Sequence, residues 1–396
     1  MSSAMLDLLN LSDSEKKRQG VEFTPREIAQ QPATWAKAVE IMRKQKDQIL
    51  RFMADAGMTG ERQATIYLTG AGTSEFVGTA VANVLRKGFG RNVQSVPTTH
   101  FVTHAADYFV PGQPYVLVSF ARSGNSPESM ATFNFVKKVA PQTRHLVITC
   151  NKNGKLAKAA QADPSALYIQ LPDETNDESL VMTSSFSTMA FTAIGLTLIN
   201  DLDKLAKITE QIGKAGRRVV EIYSTMLKTF AQKPFRRACY LGSGVLFGTA
   251  QECMLKLQEM TEGRVATKHD SFLGLRHGPQ VFVDDACVVI GLLSSEPYAR
   301  RYELDMLKEL KVKKQGCGML VVCDKATPEI RGLADEVVEL FPDTPAVADD
   351  FRVMTDVMVG QTLGVFKSMS VGLKPDNPST SGMINRVVQG VVIYDM

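Results

Sequence analysis

The sequence predicts an α/β protein of two similar domains, each a parallel sheet with helices on both faces. Three observations carry that prediction. Short apolar runs alternate with stretches of helical periodicity along most of the 396 residues. The alternation runs through twice, opened once at Gly70 and again at Gly242 by a strand that ends in a glycine turn. Strands that alternate with helices in this way build parallel sheets covered on both sides.

The elements follow in order. Residues 1–50 read as a helical arm: a polar lead-in, then an amphipathic helix from Trp35 to Ala56. The first domain is placed at 51–212. It opens with Ile66-Tyr67-Leu68-Thr69 as a strand, Gly70-Ala71-Gly72-Thr73-Ser74 as a turn, and a helix through Gly78-Thr79-Ala80. Further strands are expected at 116–120, 146–150 and 167–170. The second domain is placed at 213–396, and Cys239-Tyr240-Leu241-Gly242-Ser243-Gly244 leads there into Gly248-Thr249-Ala250. Strands are expected at 287–293, 318–323 and 337–341, with a tail behind them. The joint between the domains falls near Gln211 to Arg218.

Composition excludes several classes. Hydrophobic residues make up 44% and charged residues 22%, which suits a soluble globular protein. A net charge of +3 demands neither nucleic acid nor a membrane surface. No apolar run reaches the roughly 18 residues of a spanning helix. Met1-Ser2-Ser3-Ala4-Met5 lacks the basic-then-apolar order of a signal peptide. The six cysteines are scattered and form no CxxC pair, so no zinc site or disulfide framework is expected. The expectation is a cytoplasmic protein.

Chemistry enters at the turns. Gly70-Ala71-Gly72 stands where a dinucleotide fingerprint begins, but the third glycine position is Glu75, so nicotinamide binding is set aside. Thr73 and Ser74 instead open the helix, where they cap it or meet a small anion. The stretch Ser119 to Ser129 puts Arg122, Ser123, Gly124, Asn125 and Ser126 between an apolar strand and a helix. Backbone N–H groups at a helix start favour an anion, hydroxyls add donors, and an arginine offers a charged fork. A serine-capped loop that touches only solvent reads equally well here.

In the second half, Lys256 and Glu259 stand three apart on one helix and reach a common point. They read as an acid–base pair or as an exposed ion pair of little consequence. His277 follows in Leu275-Arg276-His277-Gly278-Pro279, on a turn rather than a helix face. The other four histidines read as structural. His100 and His104 have metal-pair spacing without a third ligand, so no metal site is expected.

These motifs together resemble the sugar isomerase (SIS) fold family over most of residues 50–390. The isomerase half of glucosamine-6-phosphate synthase is similar at Gly72-Thr73-Ser74, at the phosphate loop 121–126, at Leu255-Lys256-Leu257-Gln258-Glu259 and at Leu275-Arg276-His277-Gly278-Pro279. The tail, Lys374-Pro375-Asp376-Asn377-Pro378 and Asn385-Arg386-Val387-Val388-Gln389-Gly390-Val391, resembles one bacterial subgroup. That subgroup is called tagatose-6-phosphate ketose/aldose isomerase, or galactosamine-6-phosphate deaminase/isomerase. The chain departs from the synthase by carrying Ala121 and Arg122 where serine and glutamine stand, and by having no lysine after Lys374.

The resemblance implies two tandem flavodoxin-like SIS domains, each a three-layer α/β/α sandwich, in a homodimer with shared sites. It implies phosphate binding at Gly72, Thr73, Ser74, Arg122, Ser123, Gly124, Asn125 and Ser126. By the same resemblance Glu259 is the base at C2, His277 opens the sugar ring, and Lys256 steadies charge near O1. No cofactor is implied. No cysteine precedes Cys150 to draw ammonia from glutamine, so the ammonia-releasing direction is expected. Plain aldose–ketose isomerisation, or a non-catalytic sugar-phosphate regulator, are the alternatives. The residues before 50 show no basic recognition helix, which speaks against a DNA-binding regulator.

Overall fold

The computed structural model describes residues 3–388 and 390–395; Met1, Ser2, Gln389 and Met396, which the sequence reading used, lie outside the described residues. The chain forms two compact units that interlace along the sequence. The first holds Ala33–Asp177, Ser184–Lys207 and Ile384–Met396. The second holds Met1–Pro32, Glu178–Thr183 and Ile208–Met383.

The first unit contains a five-stranded parallel sheet of β1 (Thr65–Thr69), β2 (Val93–Ser95), β3 (Tyr115–Ala121), β4 (Arg144–Thr149) and β5 (Ala166–Gln170), in the order β2-β1-β3-β4-β5. Every residue of β3 is buried, as expected of a central strand covered on both faces. Its Val116, Leu117 and Val118 each contribute about 1.5–3 kcal/mol by leaving water. The helix Ser184–Gly195 is buried along its whole length. Behind the first glycine turn, the helix Thr73–Phe89 ends on Gly90 in the left-handed conformation (φ 63°).

The second unit repeats the plan with β6 (Arg237–Gly242), β7 (Ala266–Asp270), β8 (Cys287–Leu292), β9 (Gly318–Cys323) and β10 (Glu336–Glu339), ordered β10-β9-β8-β6-β7. Read from β7, this is the order of the first sheet, strand for strand. One face packs Cys239, Leu241, Val289, Val321 and Cys323 around Phe272 and Leu307. The helix Val245–Met260 packs against β6, β7 and the helix Asp349–Ser370. That contact is close: a Cβ on Gly360 would lie 2.4 Å from the Cys253 sulfur.

The tandem fold is as expected, but the segments differ from those expected. Residues 1–50 are not a separate arm, because Met1–Pro32 belong to the second unit and the rest of the helix Gln31–Ala56 to the first. The polar lead-in contains three short helices, Ala4–Leu9, Asp13–Gln19 and Thr24–Ala29. Long-range anchors tie it down: the Asp376 carboxylate accepts from the backbone N–H groups of Glu22, Phe23 and Thr24. The tail from Ile384 belongs to the first unit, not the second. The expected joint at 211–218 lies inside a continuous helix, Leu202–Arg218. Among the described residues no helix is long and apolar enough to cross a membrane.

Candidate active site

In each sheet the chain leaves the inner strand, adds one edge strand, and then crosses to the other side. The crevice at that reversal, beyond the carboxyl ends of β1 and β3, is where open parallel sheets bind ligands. The two loops singled out in the sequence flank it. Gly72 caps the first with φ 56° and ψ −129°, a conformation that disfavours a side chain, and Thr73 and Ser74 follow it, both buried.

The second loop is tightly specified. Asn151 donates through Nδ2 to the Ser123 carbonyl at 2.9 Å, and Leu156 N–H donates to the Gly124 carbonyl at 3.0 Å. Gly124 has φ +63°, which favours glycine. The Ser126 hydroxyl accepts from Ser129 N–H at 3.2 Å and caps the helix Pro127–Val139. Asn125 lends its side-chain oxygen to Lys155 N–H at 3.0 Å, capping the next helix. Asn125 is thus spent on holding the loop.

Arg122 differs from expectation. It is 6% exposed, and its Nη2 donates to the Arg386 carbonyl at 2.5 Å. Arg386 in turn donates from Nε to the Asp177 carbonyl at 2.7 Å and from Nη2 to the Asn176 carbonyl at 3.0 Å. The guanidinium of Arg122 therefore fastens the tail to the loop rather than standing open as a phosphate fork. The cause is the proximity of residue 386, which sequence spacing does not show.

In the second unit, Gly244 caps the helix Val245–Met260 with φ 58° and ψ −124°, a near copy of Gly72. Late in that helix, Lys256 is fully buried between two carboxylates. Its Nζ lies 2.6 Å from Glu259 Oε2 and 3.4 Å from Glu252 Oε1. Glu252 is also fully buried, whereas the Glu259 side chain is 26% exposed. The exposed-ion-pair reading is thereby overturned. Burial disfavours the charged lysine, yet Glu252 and then Glu259 outweigh it and hold its pKa above the ordinary 10.5. A lysine so held is a fixed cation beside an accessible carboxylate. Glu252 was missed, although its i, i+4 spacing to Lys256 is visible in the sequence.

His277 lies just after the short helix Phe272–Leu275, on an exposed turn closed by Gly278 at φ 106° and Pro279. Arg276 anchors this turn through Nε to Glu309 Oε2 at 2.8 Å. Among the described residues His277 makes no hydrogen bond to Lys256 or Glu259.

The crevice of the second sheet is filled from within. After β8, Ser294 and Ser295 take the place that the loop 122–126 has after β3, and the Asp349 carboxylate sits on them. It accepts from Ser294 Oγ at 2.6 Å, Ser295 Oγ at 2.7 Å and Ser295 N–H at 3.0 Å. Buried Arg352 backs it at 3.2 Å. Burial opposes ionisation of Asp349, but Arg352 and the serine donors prevail and lower its pKa. Glu303 reaches the same place, accepting from Ser294 N–H at 2.8 Å. Its burial pushes its pKa up to about 7, against the hydrogen bond from Ser243.

Comparison with known proteins matches this arrangement to relatives. The SIS domain model matches residues 61–198. D-galactosamine-6-phosphate deaminase AgaS of Escherichia coli is 35% identical over 381 residues, covering 94% of this chain and 95% of that protein. The crystal structure of tagatose-6-phosphate ketose/aldose isomerase from Escherichia coli is similar with a TM-score of 0.85 and 31% identity, over 94% of this chain and 96% of that one. A Clostridium novyi NT protein, provisionally assigned as a tagatose-6-phosphate ketose/aldose isomerase, is similar with a TM-score of 0.94 and 33% identity, over 98% and 99%. With two matching sheets, both glycine-capped helices and full-length relatives at this identity, the chain belongs to the SIS-domain family of sugar isomerases, alongside the AgaS proteins.

Proposed function

We propose that this protein is an amino-sugar 6-phosphate deaminase and isomerase that converts galactosamine 6-phosphate and water to tagatose 6-phosphate and ammonium. The observation that carries the chemistry is the buried, charged Lys256 held against the more accessible Glu259. The substrate class follows from the relative named D-galactosamine-6-phosphate deaminase.

The phosphate docks at the first crevice on Thr73, Ser74, Ser123 and Ser126, with the Gly72 and Gly124 backbone allowing close approach. His277 moves the proton between O5 and O1 that opens the ring. Glu259 takes the proton from C2, and the C2–H electrons form the C1–C2 double bond of an enolamine. Lys256 steadies the charge at O1 during this step. Return of the proton to C1 leaves an iminium at C2, which water attacks. The C–N bond then breaks, giving the C2 ketone and ammonium. General acid–base steps of this kind contribute about 10²–10⁴ each. The exposed Leu273 and Val281 flanking His277 suit a second copy of the chain, so a homodimer is part of this reading. With no spanning helix among the described residues, a cytoplasmic location is proposed with it.

The test is ammonium release from galactosamine 6-phosphate, with glucosamine 6-phosphate alongside. Ammonium together with tagatose 6-phosphate supports the reading, and absence of both refutes it. Aldose–ketose isomerisation of tagatose 6-phosphate is the second reading, favoured by the isomerase name of a 31% identical structural relative. Turnover of tagatose 6-phosphate without any ammonium from the amino sugars decides for it.

A further inference from the structure

The second unit has a cavity of about 310 Å³ at the carboxyl end of β10, the edge strand farthest from β7. The helix Val245–Met260, with Lys256 and Glu259, packs beside β6 and β7, so the cavity is separate from those residues. Its wall comes from the end of the helix Leu202–Arg218, the turn that follows, and Leu340, Pro342, Asp343 and Thr344 behind β10.

The wall is basic. Lys214, Arg217 and Arg218 stand at i, i+3 and i+4, on one face of the helix. Like charges at that spacing repel one another unless an anion lies among them. Lys214 and Arg217 are exposed and form no ion pair among the described residues. Arg218 leans toward Asp343 at 3.6 Å and over the Tyr223 ring at 5.9 Å. Its Nε is buried yet meets no acceptor. A guanidinium with an unmet buried donor, beside two free cations, is complementary to an oxyanion with several acceptors.

The backbone here is also irregular. Val219–Tyr223 form a single π-helical turn, a feature that recurs at functional sites. At the matching corner of the first sheet, behind β5, Asp173 of Pro172-Asp173-Glu174 pairs with Lys152 at 3.1 Å. Behind β10 the corresponding Pro342-Asp343-Thr344 borders the cavity. The volume is at the lower end of small-molecule sites, which suits a phosphorylated monosaccharide and is too small for a dinucleotide. Glu221, Asp343 and Thr344 supply acceptors for hydroxyl groups.

We propose that this cavity is a second sugar-phosphate site, in which Lys214, Arg217 and Arg218 hold the phosphoryl group of a monosaccharide phosphate. The probe is a hexitol 6-phosphate, which lacks the carbonyl group and does not react. Its stoichiometry is measured by equilibrium dialysis on the full chain and on the double variant Lys214→Glu, Arg217→Glu. Both side chains are exposed, so the variant keeps its fold, checked by circular dichroism. The expected result is one bound hexitol phosphate fewer per chain in the variant, whatever the number in the unaltered protein. Equal stoichiometry in the two proteins overturns the proposal. Ser123→Ala lowers affinity at the other crevice and serves as the control that tells the two sites apart.

Discussion

Lys256→Met tests whether a buried cation is what organises the acid–base helix. Methionine nearly matches the lysine stem in length and removes only the charge. In the protein Lys256 lies 3.4 Å from Glu252 and 2.6 Å from Glu259, and Glu252 has no exposed side-chain surface. Removing one partner of a buried pair costs about 3–5 kcal/mol, because the remaining charge is left uncompensated. At about 2–4 °C per kcal/mol for a unit of this size, the melting temperature falls by roughly 6–20 °C at pH 7. Without the lysine, the buried Glu252 carboxylate and Glu259 are left with no cation between them. In the unaltered protein the raised Lys256 pKa gives stability that is complete below 10.5 and lost only at higher pH. Melting curves from pH 5 to 9, with turnover measured in parallel, check each step. The second variant Lys256→Met, Glu252→Gln recovers most of the stability but not the turnover. A single variant that melts within about 2 °C of the unaltered protein at pH 7 refutes the reasoning.

Three further outcomes follow from the same geometry. His277→Asn leaves melting unchanged, since the ring is exposed, and lowers kcat/KM by about 10²–10⁴; an unchanged kcat/KM removes His277 from the mechanism. Glu303 has a folded pKa of about 7 against an ordinary 4.5, so its contribution is complete below 4.5 and is lost as pH rises through 7. Glu303→Gln therefore flattens the fall in stability over that range, by roughly 3 kcal/mol, as read from urea unfolding at pH 5 and pH 8. Asp349→Ala leaves buried Arg352 with one carboxylate fewer and costs roughly 3 kcal/mol at pH 7. Because the Asp349 pKa is lowered, that cost shrinks as pH falls below the ordinary 3.8, and a pH-independent cost would contradict the ion-pair account.

Residues that the core selects were the most legible. Leu146 to Cys150 and Gly318 to Cys323 show as apolar runs because both faces of a central strand must be dry. Two strands escaped notice. β2 is only Val93-Gln94-Ser95, and β7 is Ala266-Thr267-Lys268-His269-Asp270, with no fully buried residue. Both lie at sheet edges, where the apolar signal fades. At the site, the glycine caps and the Lys256–Glu259 spacing were readable, because local backbone geometry and helix period fix them. The burial of Lys256, the pairing with Glu252, and the hold of Arg122 on residue 386 were not. Each depends on what packs around a side chain from distant sequence, and spacing alone does not carry that information. The interlacing of the units escaped for the same reason, since a carboxylate at Asp376 holds backbone at Glu22.

The two crevices begin alike and are filled differently. Both begin with a glycine-capped helix, and both place serines behind the third strand in sequence. A helix start with free donors attracts an anion, and in each unit the polypeptide must either leave room for one or supply its own. In the first unit Gly124 and small hydroxyl side chains border the crevice, and Asn125 is turned back to cap the neighbouring helix. In the second, Asp349 brings a carboxylate to Ser294 and Ser295, and Glu303 adds another. The second crevice thus already holds an anion of its own, while the first keeps hydroxyl side chains at its border, which supports the proposed docking of the phosphate there. The helix that opens at the second crevice carries charge further along, at Glu252, Lys256 and Glu259, where the proposed mechanism uses a fixed cation and an accessible carboxylate for proton transfer. On the proposed mechanism, one internal carboxylate at position 349 separates a sheet that binds from a sheet that reacts, although the two share one topology.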